Sequence, residues 1–146
     1  MRRAPPGQSK GTGMGDQMGG RGAEIERPPP RAFVIEDDVQ TLALLSDLAA
    51  MCGFEPVTFT RISSAREALR ERAPTIMVVD DNLPDGRGAD LVREVKDNPR
   101  TSHVQVVFCT AAGPSRRREI AHLGPVIEKP FRVRDLEKVL NEAATS

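Results

Sequence analysis

The chain has 146 residues, of which 38% are hydrophobic and 29% charged, with no tryptophan or tyrosine. This apolar content suffices for one core of roughly 100 to 120 residues, and a second domain does not fit. Because 21 basic and 21 acidic residues give a formal net charge of zero, the composition argues against a nucleic-acid-binding protein. No apolar stretch approaches the roughly 18 residues that a membrane-spanning helix needs. The two cysteines lack metal-site spacing, which fits reduced thiols in a cytosol. Together with the missing membrane span, this leads us to expect a soluble, cytoplasmic protein.

Residues 1–31 differ in composition from the rest of the chain. They contain seven of the twelve glycines and five of the twelve prolines, and their only large aliphatic residue is Ile25. Such a segment cannot bury enough apolar surface to offset the entropy lost on ordering. We predict a disordered tail over residues 1–31, followed by one domain over residues 32–144.

From residue 32 the pattern alternates between short apolar runs and amphipathic segments. Residues 32–35 predict a strand, and the apolar stripe at helical spacing between residues 42 and 52 predicts a helix that ends at Gly53. Residues 55–59 predict a second strand, whose mixed polarity is typical of a sheet edge. The sequence Ser64-Ala65-Arg66-Glu67 is a capping-box pattern and predicts the start of a second helix.

The second half continues the alternation of strands and helices. Residues 76–79 form an unbroken apolar run and predict a strand covered on both faces. A loop rich in proline and glycine precedes the third helix. Then follow a strand over about 104–109, a short helix over about 115–122, a strand around 126–127 and a final helix over 133–143. Five strands and five helices joined by right-handed crossovers predict an α/β fold with a doubly wound parallel sheet.

Polar side chains stand at or just past the ends of four of the apolar runs. They are Glu36, Asp37, Asp80, Thr110 and Lys129. Because the carboxyl ends of parallel strands share one edge, where such sheets bind ligands, we expect these side chains to meet in one crevice. Three carboxylates, a hydroxyl and an ammonium group suit a divalent cation and a phosphoryl group.

These motifs carry a resemblance to a known family. Residues 32–144 resemble the receiver domain of bacterial response regulators, the CheY-like module of two-component signalling. Glu36-Asp37-Asp38 is similar to the acidic cluster of that family, and residues 80–88 are similar to its phosphoacceptor loop. Thr110-Ala111 and Lys129-Pro130-Phe131 match its two remaining signatures. The resemblance implies a flavodoxin-like sheet with strand order 2-1-3-4-5.

The resemblance also implies roles for the residues at the strand ends. Asp80 would be the phosphoacceptor, Thr110 would donate a hydrogen bond to a phosphoryl oxygen, and Lys129 would supply a positive charge, with a cis peptide bond to Pro130. Magnesium would be the cofactor, bound directly by two carboxylates and through water by a third. The predicted metal ligands are Glu36, Asp37, Asp80 and the backbone carbonyl of Asn82.

We therefore expect a stand-alone receiver that accepts a phosphoryl group from a sensor histidine kinase or a histidine phosphotransfer protein. It would act on an output partner protein as a phosphorylation-dependent switch or as a phosphorelay intermediate. It would not be an enzyme in the ordinary sense, although it would assist its own phosphorylation and dephosphorylation. We expect no nucleic acid and no membrane among its partners.

Two other functions stay open. Val126 stands where the family usually has a tyrosine or phenylalanine that is thought to rotate inward on phosphorylation, and the segment between Thr110 and Lys129 is shorter than usual. Val126 favours a pseudo-receiver, a constitutive protein-binding adaptor, whereas the intact acid pair, Asp80, Thr110 and Lys129 argue against it. A metal-dependent phosphatase of the haloacid dehalogenase class also uses an aspartate after a strand. It requires a second aspartate two residues later, where this chain has Asn82.

Other charged residues have simpler interpretations. Asp37 or Asp38 could cap the helix that begins near residue 39. Asp81 is expected to be a surface charge or a charge that supports the site from outside. The three arginines at 116–118 are expected to form a solvated helix face, with a partner-binding face as the alternative.

Overall fold

The computed structural model describes residues 28–145, so the tail predicted for residues 1–31 lies, as far as residue 27, outside the described residues. The strands are β1 (Arg31–Ile35), β2 (Glu55–Phe59), β3 (Ile76–Val79), β4 (Gln105–Thr110) and β5 (Val126–Glu128). The helices are α1 (Val39–Met51), α2 (Ile62–Glu71), α3 (Gly88–Asp97), α4 (Pro114–Ile120) and α5 (Val133–Ala144). A short hairpin of Asn82–Leu83 and Gly86–Arg87 lies between β3 and α3, and a 3₁₀ turn, Ala121–Leu123, follows α4.

The five strands form one parallel sheet in the order β2-β1-β3-β4-β5. The predicted flavodoxin-like order 2-1-3-4-5 is thus confirmed. Because successive strand residues point to opposite faces, the sheet divides the core in two. Phe33 and Ile35 pack with α2 and α3 on one face, whereas Ala32 and Val34 pack with α1 and α5 on the other. Between residues 28 and 145, no helix combines the length and apolar character needed to cross a bilayer.

The ends of the helices show which local sequence signals are right. Asp38 caps α1, because its carboxylate accepts the N–H of Thr41 at 2.9 Å. Gly53, with φ of +94°, follows the C-terminal cap of α1, as predicted. The capping box predicted at Ser64 is wrong, since α2 begins two residues earlier at Ile62 and its N-cap residue makes no side-chain hydrogen bond.

The first N–H groups of α2 are capped from a distant loop. The two carboxylate oxygens of Asp85 accept the N–H of Ile62 at 2.8 Å and the N–H of Ser63 at 3.0 Å. Asp85 lies in the turn of the hairpin that follows β3, 23 residues after Ile62. A tertiary contact therefore replaces the local cap, and it ties the loop after β3 to α2.

Candidate functional site

The polar residues at the strand ends meet at the carboxyl edge of the sheet. Glu36 directly follows β1, Asp80 directly follows β3, Thr110 is the last residue of β4, and Lys129 directly follows β5. The parallel register pairs Ile35 with Val79, so Glu36 and Asp80 leave neighbouring strands at the same level. The fold therefore brings together side chains from four separate segments.

Lys129 joins two of the carboxylates. Its Nζ donates a hydrogen bond to Oε1 of Glu36 and another, of 3.1 Å, to Oδ2 of Asp80. The second carboxylate oxygen of Glu36 accepts the N–H of Asp38 at 3.0 Å. Glu36 is only 1% exposed, and the Lys129 side chain is 19% exposed. The ammonium group is thus fixed between the two acidic groups, with limited access to solvent.

The electrostatics of this contact keep Lys129 charged. Burial raises the pKa of Glu36, and the negative charge of Asp80 adds to that rise, while hydrogen bonds from Lys129 and from the N–H of Asp38 oppose it. Burial alone would lower the pKa of Lys129, but its hydrogen bonds to Glu36 and Asp80 and their charges raise it above its ordinary value. At neutral pH, Lys129 therefore provides a permanent positive charge beside Asp80.

Three carboxylates lie close enough to hold one cation. Glu36, Asp37 and Asp80 each offer an oxygen, and these oxygens lie within 4.8 Å of one another. Glu36 and Asp80 are buried and Asp37 is exposed, so the group opens to solvent on one side. Hard oxygen ligands with an open side suit Mg²⁺, which keeps several waters. The N–H of Asn82 donates to Oδ1 of Asp80 at 3.1 Å, and the role of the Asn82 carbonyl as a ligand stays a prediction.

A cavity of about 350 Å³ lies next to Asp80. It is lined by Asp80, Asn82, Arg87, Thr110, Ala111 and Ala112. Thr110 is 1% exposed, and its Oγ1 accepts the N–H of Ala112 at 3.2 Å. That acceptance leaves the hydroxyl proton of Thr110 free to be donated to a bound anion. The cavity can hold a phosphoryl group in reach of both residues.

Gly88 allows α3 to start directly against Asp80. A Cβ atom at position 88 would lie 2.2 Å from the carbonyl oxygen of Asp80 and 2.6 Å from Cγ1 of Val79. Both distances are far below van der Waals contact, and the nearer atom belongs to the backbone. Glycine is therefore required here to bring the helix against the strand end. The Lys129–Pro130 peptide bond is cis, as the resemblance implies.

Asp81 is buried and binds Arg116 of α4 and the N–H of Ala89, contacts that the sequence did not predict. Its side chain is 0% exposed, and its carboxylate accepts hydrogen bonds from Nε of Arg116 at 2.7 Å, from Nη2 of Arg116 at 3.1 Å and from the N–H of Ala89 at 3.0 Å. Burial would raise the pKa of Asp81, but these hydrogen bonds and the charges of Arg116 and Arg87 hold it below its ordinary value. Of the two expectations for Asp81, the surface charge is wrong, because the side chain is buried, and the supporting role stays a prediction.

The arginines of α4 are also bound more tightly than expected. Arg116 holds Asp81, while Nη1 of Arg117 donates to the carbonyl of Ala112 at 2.6 Å and lies 3.3 Å from Glu128. Only Arg118 of the three is exposed, so the predicted solvated face is wrong for the other two. No sequence signal could have revealed the partner of Arg116, because 35 residues separate it from Asp81.

Comparisons with known proteins agree with this geometry. The model of the response regulator receiver domain family matches residues 32–141. The phosphate regulon transcriptional regulatory protein PhoB of Rhizobium meliloti is 32% identical over 89 residues, which cover 61% of this chain and 39% of PhoB. The polar-differentiation response regulator DivK of Brucella anthropi is 26% identical over 108 residues, which cover 72% of this chain and 88% of DivK.

Solved structures agree in fold. A sensor protein from Polaromonas sp. JS666 is 29% identical with a TM-score of 0.72, and the match covers 81% of this chain and 98% of that one. The receiver domain of the sensor histidine kinase PA1611 from Pseudomonas aeruginosa, solved with a magnesium ion coordinated in its active-site cleft, has a TM-score of 0.72 at 18% identity. That match covers 82% of this chain and 100% of that one, and it supports the fold alone. The chain belongs to the response regulator receiver domain family of two-component signalling.

Proposed function

We propose that this receiver accepts a phosphoryl group on Asp80 from a phosphohistidine of a sensor histidine kinase or of a histidine phosphotransfer protein. The observation that carries the proposal is the contact of the Lys129 ammonium group with Asp80 and Glu36. Asp80 also lines a cavity together with Thr110. A reactive carboxylate thus contacts a fixed cation and shares a cavity with a hydroxyl donor.

The transfer follows from the positions of these groups. A carboxylate oxygen of Asp80 forms a bond to phosphorus while the N–P bond of the phosphohistidine breaks, and the electron pair of that bond stays on the imidazole nitrogen. Lys129 exchanges its contact with Asp80 for one with a phosphoryl oxygen, and Thr110 donates to another oxygen. The same groups would stabilise charge when water later removes the phosphoryl group. Receiver chemistry of this kind depends on positioning and on electrostatics.

A divalent cation would complete the charge balance. When bound, it would offset the negative charge of the phosphoryl oxygens and of the carboxylates. The residues that would hold it are Glu36, Asp37, Asp80 and the backbone carbonyl of Asn82. Their carboxylate oxygens are close enough together to need such a cation, since three like charges otherwise repel one another at one site.

Two ways of acting on a partner protein stay open, a phosphorylation-dependent switch and a constitutive adaptor. Val126 is partly buried and packs against the core beneath α2 and α3. Valine has one stiff side-chain rotor and little surface, so it cannot exchange between a buried and an exposed position as a large aromatic residue can. This observation favours either an adaptor or a switch that works through Thr110 and the segment that follows it.

The phosphoacceptor proposal is tested by incubating the full chain with acetyl phosphate and Mg²⁺ and reading the intact mass. We expect one added phosphoryl group, none in Asp80→Asn, and none in the presence of a chelator. Asp90→Asn is the matched control, because Asp90 is exposed on α3 and its carboxylate pairs with Arg93 on the same helix. Labelling that persists in Asp80→Asn would refute the assignment. A wild-type chain that is never labelled would favour the adaptor, and steady hydrolysis of phosphate monoesters would favour the phosphatase.

A further inference from the structure

Arg87 lies at the mouth of the cavity that contains Asp80. It lines the cavity together with Asn82 and Thr110. In the hairpin that follows β3, Arg87 is paired with Asn82, which is only two residues past Asp80. The hairpin therefore returns the chain at Arg87 to a position beside Asn82, close in sequence to the residue that would react.

The side chain of Arg87 is loosely held. Its Nη1 lies 3.7 Å from Oδ2 of Asp81, which is beyond hydrogen-bond distance, and the side chain is 56% exposed. Asp81 already accepts short hydrogen bonds from Arg116 and from the N–H of Ala89. Because Asp81 is satisfied without Arg87, rotation of this exposed side chain toward the cavity breaks no short contact.

The charge balance of the site favours a further cation at this place. Three carboxylates, Glu36, Asp37 and Asp80, face one ammonium group, that of Lys129. One bound divalent cation would bring these four side chains only to neutrality. An incoming phosphoryl donor adds negative charge, and a guanidinium group can bind two phosphoryl oxygens with parallel N–H donors.

We propose that Arg87 is a phosphodonor-binding residue, whose guanidinium group binds oxygens of the phosphoryl group as it enters the cavity. The inference rests on the proposed function, because this cavity receives a phosphoryl group only if Asp80 is the acceptor. It also names a substrate preference. Donors of greater net negative charge, such as acyl phosphates, are favoured over donors of lower net negative charge.

The test compares two small donors on the full chain with Mg²⁺, by intact mass over time. At neutral pH, acetyl phosphate carries one net negative charge more than phosphoramidate, because the nitrogen of phosphoramidate is protonated. We expect Arg87→Gln to lower the phosphorylation rate constant with acetyl phosphate about tenfold, as for the loss of one charge-assisted hydrogen bond, and with phosphoramidate only about threefold. Arg87→Lys keeps the charge but loses the two parallel N–H donors of the guanidinium group. Its phosphorylation rate constant with acetyl phosphate should therefore lie between those of the wild type and Arg87→Gln.

Arg93→Gln is the matched control. It removes the same charge from an exposed arginine of α3 that contacts Asp90, and both rates should equal those of the wild type. Equal rates in Arg87→Gln and Arg93→Gln, with the wild type labelled at Asp80, overturn the inference and leave the proposed function standing. A wild-type chain that takes up no phosphoryl group overturns both. Losses in Arg87→Gln that are the same for both donors overturn the charge preference.

Discussion

Asp85 fixes the start of α2 from the loop after β3, and its removal should therefore destabilise the fold. Asp85→Ala leaves the N–H groups of Ile62 and Ser63 without their acceptors. It also removes a negative charge from the positive end of the helix. A cap residue contributes about 0.5–2 kcal/mol and a charge at a helix end about 0.3–1 kcal/mol. Because Asp85 is exposed, water replaces part of the loss, and we expect the free energy of unfolding to fall by about 1–2 kcal/mol.

Urea unfolding of the full chain, followed by far-UV circular dichroism, measures this change, since the chain has no tryptophan or tyrosine for fluorescence. Ser64→Ala is the decisive control, because Ser64 is the cap that the local sequence predicts. Ser64 is exposed inside α2, and alanine is the better helix former, so Ser64→Ala should cost nothing or stabilise by a few tenths of a kcal/mol. If Ser64→Ala is more destabilising than Asp85→Ala, the assignment of Asp85 as the cap is wrong.

The pH dependence gives a second signature of Asp85. Hydrogen bonds from the N–H of Ile62 and the N–H of Ser63 lower the pKa of Asp85 from its ordinary 3.8. A carboxylate whose pKa is lower in the folded state stabilises the fold fully above its unfolded pKa, and this contribution is lost as the pH falls through the folded pKa. The stability difference between the wild type and Asp85→Asn should therefore be constant from about pH 7 to about pH 5 and narrow below about pH 4. A difference that widens on acidification would contradict this cause.

Three further predictions concern the site. Mg²⁺ at 100 times its dissociation constant should stabilise the fold by about 2.7 kcal/mol, seen as a rise in melting temperature, and Asp37→Ala should abolish the rise. Gly88→Ala should destabilise by at least about 2 kcal/mol in urea unfolding, because its Cβ would overlap backbone. Gly113→Ala, where a Cβ meets nothing within 4 Å, should change little. Arg116→Ala should lower the free energy of unfolding by about 2–3 kcal/mol, because it leaves a buried carboxylate with fewer donors, whereas Arg118→Ala at an exposed position should stay within about 0.5 kcal/mol.

The sequence predicts the sheet and its functional edge well because the signals for both are local. Four of the five strands contain a short apolar run, and the polar residues at or just past its end, such as Asp80, show where the run stops. Parallel pairing then places all the strand ends on one edge, whatever the details of packing. The meeting of Glu36, Thr110 and Lys129 beside Asp80 thus follows from chain order and strand length.

The contacts that the sequence could not predict join residues far apart in the chain. Arg116 reaches Asp81 across 35 residues, and Asp85 reaches Ile62 across 23. Local pattern assigns each of these charged residues to a solvated surface, which is the commonest place for such side chains. In the case of α2, the tertiary cap also overrides the local one, because Ser64 lies within the first turn of the helix and cannot cap it.

These two long-range contacts determine where the protein can move when Asp80 is phosphorylated. Asp85 ties the loop after β3 to α2, and Asp81 ties the same loop to the first turn of α4 through Arg116. A movement of α4 would break this partly buried ion pair, at the cost of about 2–3 kcal/mol that is expected for its loss in Arg116→Ala. One new hydrogen bond from Thr110 to a phosphoryl oxygen contributes a similar amount, about 1.5–3 kcal/mol, so it leaves no surplus to drive that movement. The movement should therefore be confined to residues 110–113, and phosphorylation should change amide hydrogen exchange there while α4 keeps its protection. Loss of protection throughout α4 would mean that Arg116 releases Asp81 in the phosphorylated state, and Arg116→Ala would then show the same loss without a phosphoryl group.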